Sequence, residues 1–318
     1  MKKLLSLSLV LVMLLTLGML TACQPADKDG YTVGIIQLAE HPALDAATKG
    51  FKAALTEKLG DKVTFDEKNA QGEATNCTTI VNGFVNGKVD LIMANATNAV
   101  KAAMEATSTI PVVGTSVTSY EGSGLVTSDA APGANVTGAS DYNPVTAQIS
   151  LIKAFTPNAK TIGIVYASGE ENSQIQANEA KTALEGEGYT VKLYTVADSN
   201  EIASVVAQAC TEVDAFYEPT DNLIASNVSA MTNITTANKK PVFCCEEGMI
   251  EGGMLAAYAL SYYDLGYQAG LMAYDILENG KNPAEMPIFK FDESSLKLVV
   301  NEAVMIELGL SMPDSLKK

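Results

Sequence analysis

Short apolar, β-branched runs alternate with segments of helical period along most of this chain, and the alternation is run through twice. Tyr31-Thr-Val-Gly-Ile-Ile-Gln37 and Thr161-Ile-Gly-Ile-Val-Tyr166 each end at polar residues, as strands buried on both faces do. From Gly34 the pair Ala54-Leu55 lies 20 and 21 residues on, and from Gly163 the pair Ala183-Leu184 lies at the same offsets. Each first strand leads to a helical segment, Ala46 to Leu59 and Ile175 to Leu184, and then to a second strand, Val63 to Phe65 and Thr190 to Val196. Val89 to Asn95 matches Val213 to Pro219, and Ile110 to Gly114 matches Lys240 to Cys244. The spacing holds: Gly34 to Gly163 is 129 residues and Pro111 to Pro241 is 130. Strands alternating with helices make parallel sheets with right-handed crossovers, so this register predicts two Rossmann-like α/β lobes in tandem.

The strand-like run Asn135 to Ser140 carries the chain from the first lobe to the second. Leu255 to Leu277 reads as one long helix, and Pro287 to Phe291 and Leu296 to Asn301 read as strands, all without a counterpart in the repeat. They suit further crossings between lobes, which makes a multi-strand hinge. The expected division is an N-terminal lobe of 31–139 plus about 262–290 and a C-terminal lobe of 140–261 plus about 291–318. Open parallel sheets bind ligands beyond the carboxyl ends of their strands, so the site is expected in the cleft between lobes.

The residues at those strand ends are polar. The first lobe offers Gln37 to His41, Asn95, Thr97, Asn98, Thr115 and Ser116; the second offers Ser168 to Ser173, Glu218 to Asn222, and Glu246-Glu247. Several precede helices, where free N–H groups and the macrodipole attract an anion. Thr115, Ser116 and Asn95 are the donors assigned to a carboxylate. Asp221, with Glu246 as substitute, would accept from an ammonium group. Each has a plainer reading as a helix N-cap. The single histidine, His41, reads as a loop residue.

The N-terminus sets the compartment. Lys2-Lys3 precede an apolar run from Leu4 to Leu20 that ends in Leu20-Thr21-Ala22-Cys23, a signal peptide (1–22) with a lipobox-like cleavage site. Cys23 would be the acylated first residue of the mature lipoprotein, 23–30 its tether, and the rest would stay in water outside the cytoplasm. With Lys2 and Lys3 gone, 19 lysines face 37 acidic residues, a net charge of about −18, so nucleic acid is a poor partner. No arginine is present, so no guanidinium clamp can hold an anion and backbone N–H groups and hydroxyls must do so. Cys77, Cys210, Cys244 and Cys245 have no metal-type spacing and are expected as free thiols.

Gly163-Ile-Val-Tyr166 followed by Glu171-Asn172-Ser173, Pro219-Thr-Asp-Asn222 and Tyr262-Tyr-Asp-Leu-Gly-Tyr-Gln-Ala-Gly270 resembles the importer-associated binding-protein family that includes tryptophan- and tyrosine-binding lipoproteins. The resemblance spans the mature chain, including Thr137 to Asp141, Pro144 and Gln148. It implies a periplasmic-binding-protein type I fold and an aromatic amino acid as solute. It also implies ligand contacts from Thr115 and Ser116 in one lobe and from Asn172, Ser173, Asp221 and Asn222 in the other; Glu171 and Thr220 from the strand ends, and Ser140 and Asp141 from the matching stretch, complete the candidate site. After Thr118 the family often continues Asp-Pro, whereas this chain has Ser119-Tyr120-Glu121-Gly122. Tyr120 is therefore expected to line or cover the cleft, with Tyr166, Tyr217 and Tyr258 as further candidate walls.

The expected protein is a monomeric, lipid-anchored binder that closes on its solute and docks on a membrane permease driven by a separate ATPase. No cofactor or metal is expected. A sugar or nucleoside on the same scaffold is the first alternative, and the absence of tryptophan and arginine counts against a sugar. An enzyme is the second; no Gly-x-Gly-x-x-Gly follows the first strand of either lobe, and one histidine builds no two-histidine metal site. An adhesin or sensor role added to binding is left open.

Overall fold

The computed structural model describes residues 30–317. The signal, Cys23 and all of the tether but Gly30 lie outside the described residues. The first lobe's sheet contains β1 (Tyr31–Gln37), β2 (Val63–Asn69), β3 (Leu91–Asn95), β4 (Val112–Val117) and β5 (Val136–Ser140). The second contains β6 (Thr161–Ala167), β7 (Thr190–Val196), β8 (Ala215–Tyr217), β9 (Val242–Cys244) and β10 (Ala256–Ala259). Two late strands, β11 (Phe289–Lys290) and β12 (Lys297–Val300), complete them in the orders β11-β5-β4-β3-β1-β2 and β12-β10-β9-β8-β6-β7. All pairings are parallel except that between β10 and β12. This is the doubly wound, two-lobed α/β architecture.

The helices are α1 (Pro42–Leu59), α2 (Ala74–Gly87), α3 (Thr97–Ala106), α4 (Val145–Phe155), α5 (Glu171–Gly186), α6 (Ser199–Cys210), α7 (Asn222–Ser226), α8 (Val228–Ala237), α9 (Glu247–Glu251), α10 (Tyr262–Asn279) and α11 (Glu302–Glu307). Each sheet is covered on both faces, so alternate strand residues enter different cores. Leu91 and Met93 pack with α1 and α10, whereas Ile92 and Ala94 pack with α2 and α3.

One expectation is corrected. Leu255 to Leu277 is not a single helix: it holds β10, the fifth strand of the second sheet, and then α10. The repeat therefore extends to β5 and β10. Ser261 separates the two elements by capping α10, its hydroxyl accepting from the Asp264 N–H at 3.2 Å.

The chain passes between the two sheets three times, after β5, after β10 and between β11 and β12. α10 returns to the first lobe and lies against α1 at very short range. A Cβ on Gly266 would fall 1.9 Å from the Ala47 carbonyl oxygen, and one on Gly50 would fall 2.0 Å from that of Tyr263.

Tyr120 does not line the cleft. It is fully buried in the first lobe's core, its hydroxyl over Gly114 and Gly138, where an added Cβ would lie 2.4 Å and 2.3 Å from it. Tyr217 is likewise a core residue, its hydroxyl 3.1 Å from the Cys245 Sγ, and Tyr166 and Tyr258 pack against the same core. The four cysteines among the described residues are free and buried.

Candidate functional site

Where β4 ends, its pairing with β5 slips between Gly114 and Val117, and Ser116 adopts a left-handed backbone at φ 56°. Ala96, between β3 and α3, also has positive φ, 89°. Such strain in non-glycine residues persists only where the surroundings impose it, and a bulge re-aims side chains. The effect gathers Asn95, Thr97, Thr115, Ser116 and Thr118 at the cleft face of the first lobe. The Asn95 Oδ1 and the four hydroxyls are buried without a hydrogen-bond partner. Asn95 is itself fixed by its amide, which donates to the Leu44 carbonyl at 2.8 Å and to the Thr48 hydroxyl at 3.0 Å.

In the second lobe the segment after β8 is held by α5. The Asn172 amide and Ser173 hydroxyl donate to the Thr220 carbonyl at 2.9 and 3.0 Å, and the Gln176 Oε1 accepts from the Thr220 N–H at 2.6 Å. Glu170 accepts from the Asn222 and Leu223 N–H groups at 3.1 and 2.8 Å. Asp221, expected to receive an ammonium, spends both carboxylate oxygens on the N–H groups of Ala167 (2.7 Å) and Ile224 (2.9 Å), the latter as cap of α7. Beside these contacts, both Glu218 oxygens, the Thr220 hydroxyl and the Gln176 amide nitrogen are buried with no partner.

Glu218 and Glu246 are 0 % and 2 % exposed. Both Glu218 oxygens and the Glu246 Oε2 lack a partner. Asp141, at the first interlobe crossing, accepts from the Tyr262 hydroxyl at 2.8 Å through Oδ2, and its Oδ1 is unpartnered. Burial pushes the Asp141 carboxyl up to about 6, against the hydroxyls of Tyr262 and Thr118, which act to lower it; the Thr118 hydroxyl therefore faces Asp141, although it makes no well-formed hydrogen bond. Glu246 is held well above the usual carboxylate range by burial and then by Asp141, Asp221 and Glu170; Glu218 is held up by burial and then by Asp221 and Glu246. Burial, followed by the neighbouring Asp221, raises Glu170 to about 7. No lysine is among the buried residues described. A buried acid without a base or donors is costly, so this arrangement favours the approach of cationic or N–H-rich groups.

Other expected residues lie apart from this cluster. Gln37 is consumed locally, donating to the Ala39 carbonyl and Asp45 and accepting from the Thr48 hydroxyl. Ser140 bonds the Thr118 carbonyl at 3.1 Å. Glu171 is half-buried at the cleft rim, 3.4 Å from Lys101 of the opposite lobe. Asn222 reaches across to His41, whose Nε2 lies 3.2 Å from its Oδ1; burial lowers the His41 pKa. His41 is thus a loop residue, as expected, yet a buried one that joins the lobes. The sequence reading named Glu218 among the polar strand ends without assigning it a contact, and it gave Thr118, Gln176 and Tyr262 no place in the site. An acid closing the apolar run Ala215-Phe-Tyr217 with no base nearby was the available signal for Glu218.

An open groove of about 480 Å³ at the interlobe mouth is lined by Leu38, Glu40, Gly169, Glu170 and Asn222 among others. A larger one, about 530 Å³, lies on the first lobe alone, where Lys52 pairs with Glu67. There Lys68 also pairs with Asp66, whereas the buried acids of the cleft have no counter-charge, so the cleft is the better candidate site despite the smaller groove.

Fold and site define a two-lobed solute-binding protein of the type I periplasmic kind, closed over its cleft. The chain belongs to the ABC transporter substrate binding protein family, which matches residues 32–318. Members of this family are non-enzymatic, extracytoplasmic transport components, and no helix among the described residues is long and apolar enough to cross a membrane. The chain is 36% identical to a tyrosine-binding protein of Clostridioides difficile over 96% of its length and 92% of that protein. It superposes with a TM-score of 0.86 on an ABC domain from Streptococcus pneumonia in complex with L-Trp, at 37% identity, covering 90% of this chain and 97% of that one. Against a ligand-free, open substrate-binding protein with adhesive properties from Clostridium difficile, identity and coverage are the same but the TM-score is 0.68. Equal kinship with unequal superposition places this structure away from the open arrangement.

Proposed function

We propose that this protein captures an aromatic L-amino acid between its lobes and delivers it to a membrane permease powered by a separate ATPase. The observation that carries the reading is the pairing of two buried, unpartnered poles. Asp141 and Glu246 supply acceptors for an α-ammonium group, while Thr97, Thr115 and Ser116, at the N-terminus of α3 and the β4 bulge, supply donors for an α-carboxylate. Kinship with tyrosine- and tryptophan-binding proteins supports the aromatic side chain. Cys23 anchors the chain by its lipid, 31–139 with 262–290 and 140–261 with 291–318 are the lobes, and the three crossings are the hinge on which they close as a monomer.

Titration of L-tyrosine or L-tryptophan into ligand-stripped protein at several pH values tests the site. The buried acids have raised pKa values in the closed, ligand-free form, so that form binds more protons than an open one and is favoured as pH falls. An ammonium requires the same acids ionised. Affinity is therefore expected to fall as pH drops from about 7 to about 5, by up to roughly tenfold per unit for each proton taken up. Charging of the buried His41 weakens closure in the same direction. An affinity that stays flat across this range would remove the carboxyls from the site.

A further inference from the structure

The cleft holds more acceptors than one ammonium can use. Among the described residues five carboxyl oxygens are buried and unpartnered; Asp129 Oδ1 belongs to a group already paired with Lys290, and the four others are Asp141 Oδ1, Glu246 Oε2 and both oxygens of Glu218. An ammonium has three N–H donors and can sit against the Asp141 and Glu246 oxygens, since Asp141 is close enough to raise Glu246. Glu218 lies within reach of Glu246 but comes from another element, and Asp141 is not among the groups that raise it. It follows β8, an interior strand of the second sheet, with its N–H on the Phe243 carbonyl at 2.7 Å, whereas Asp141 lies at the hinge crossing. The groups acting on it are Asp221, Glu246 and Glu170, all acids, and no group among the described residues makes a hydrogen bond to its carboxyl. Asp221 and Glu170 are themselves answered by N–H groups, so Glu218 is the one acid after β8 that is wholly unanswered. A carboxyl in that position favours a partner with an O–H or N–H.

We propose that Glu218 is a specificity-determining residue that receives a hydrogen-bond donor on the side chain of the bound amino acid, such as a phenol O–H or an indole N–H. The inference rests on the amino-acid reading and deepens it. Entry of an apolar ring would leave Glu218 buried and unpartnered, so the site selects against phenylalanine through desolvation, without needing a steric clash. Met, Leu and Phe are rejected on the same ground.

The experiment is calorimetric competition of matched pairs, tyrosine against phenylalanine and tryptophan against 1-methyltryptophan, on the natural protein and on Glu218→Leu and Glu218→Gln. The natural protein is expected to prefer the donor-bearing member of at least one pair by about a hundredfold or more. Glu218→Leu should erase that preference and bind phenylalanine at least as well as before, and Glu218→Gln should keep part of it. Phenylalanine binding the natural protein as tightly as tyrosine, with no preference in the tryptophan pair, overturns the inference and leaves the amino-acid reading standing. Equal weakening of both members by Glu218→Leu also overturns it, because Glu218 would then serve the shared head group. Failure of every amino acid to bind the natural protein overturns the underlying reading instead.

Discussion

Replacing Glu246 with leucine is expected to weaken binding of the amino acid by about two orders of magnitude, roughly 3 kcal/mol, without lowering the melting temperature of the ligand-free protein. The two halves of this result have one cause. Glu246 is buried beside Asp141 with an unpartnered oxygen, so in the absence of ligand it costs desolvation and contributes no pairing. With an ammonium in place it becomes half of a charge-assisted contact. Calorimetry and thermal melts on the same sample separate these effects. A variant that melts lower and binds normally would make Glu246 a structural residue.

Gly266→Ala should destabilise the protein by about 3 kcal/mol, because the helices α1 and α10 leave no room for a methyl group. The added Cβ would lie 1.9 Å from the Ala47 carbonyl oxygen and 2.6 Å from its carbon, backbone atoms that no rotamer change can move. α10 follows the second interlobe crossing and packs on the first lobe, so its displacement should loosen the hinge as well as the core. Thermal denaturation checks this, with a fall of roughly 6–12 °C expected. A melting temperature within a degree or so of the natural protein would mean that α1 and α10 stand further apart than described.

The repeated strands were legible because each is a β-branched run bounded by polar residues, and the offset between halves tied them together. β10 was misread for a physical reason. Leu255-Ala-Ala-Tyr-Ala-Leu260 has no β-branched residue and runs toward a true helix, so periodicity alone cannot separate the two. Ser261 followed three residues later by Asp264 was the cap that divides them. The site was legible as a set of strand ends and no further. Asp221 and Glu218 stand three residues apart in one polar loop, and the sequence marks both as acids without a base. Only the fold shows that Asp221 is answered by backbone N–H groups while Glu218 is answered by nothing, because those donors come from Ala167 and α7. Tyr120 was misplaced likewise: its room in the core is made by Gly114 and Gly138, far apart in sequence and adjacent across β4 and β5.

The most direct test of the account is calorimetric titration of the refolded mature chain with L-tyrosine and L-tryptophan, each beside its N-acetyl derivative, and with a hexose. The account predicts one-site binding of at least one free amino acid, loss of that binding on N-acetylation, which removes the ammonium, and no heat from the hexose. Binding of the hexose, or equal binding of the N-acetyl derivative, would contradict it.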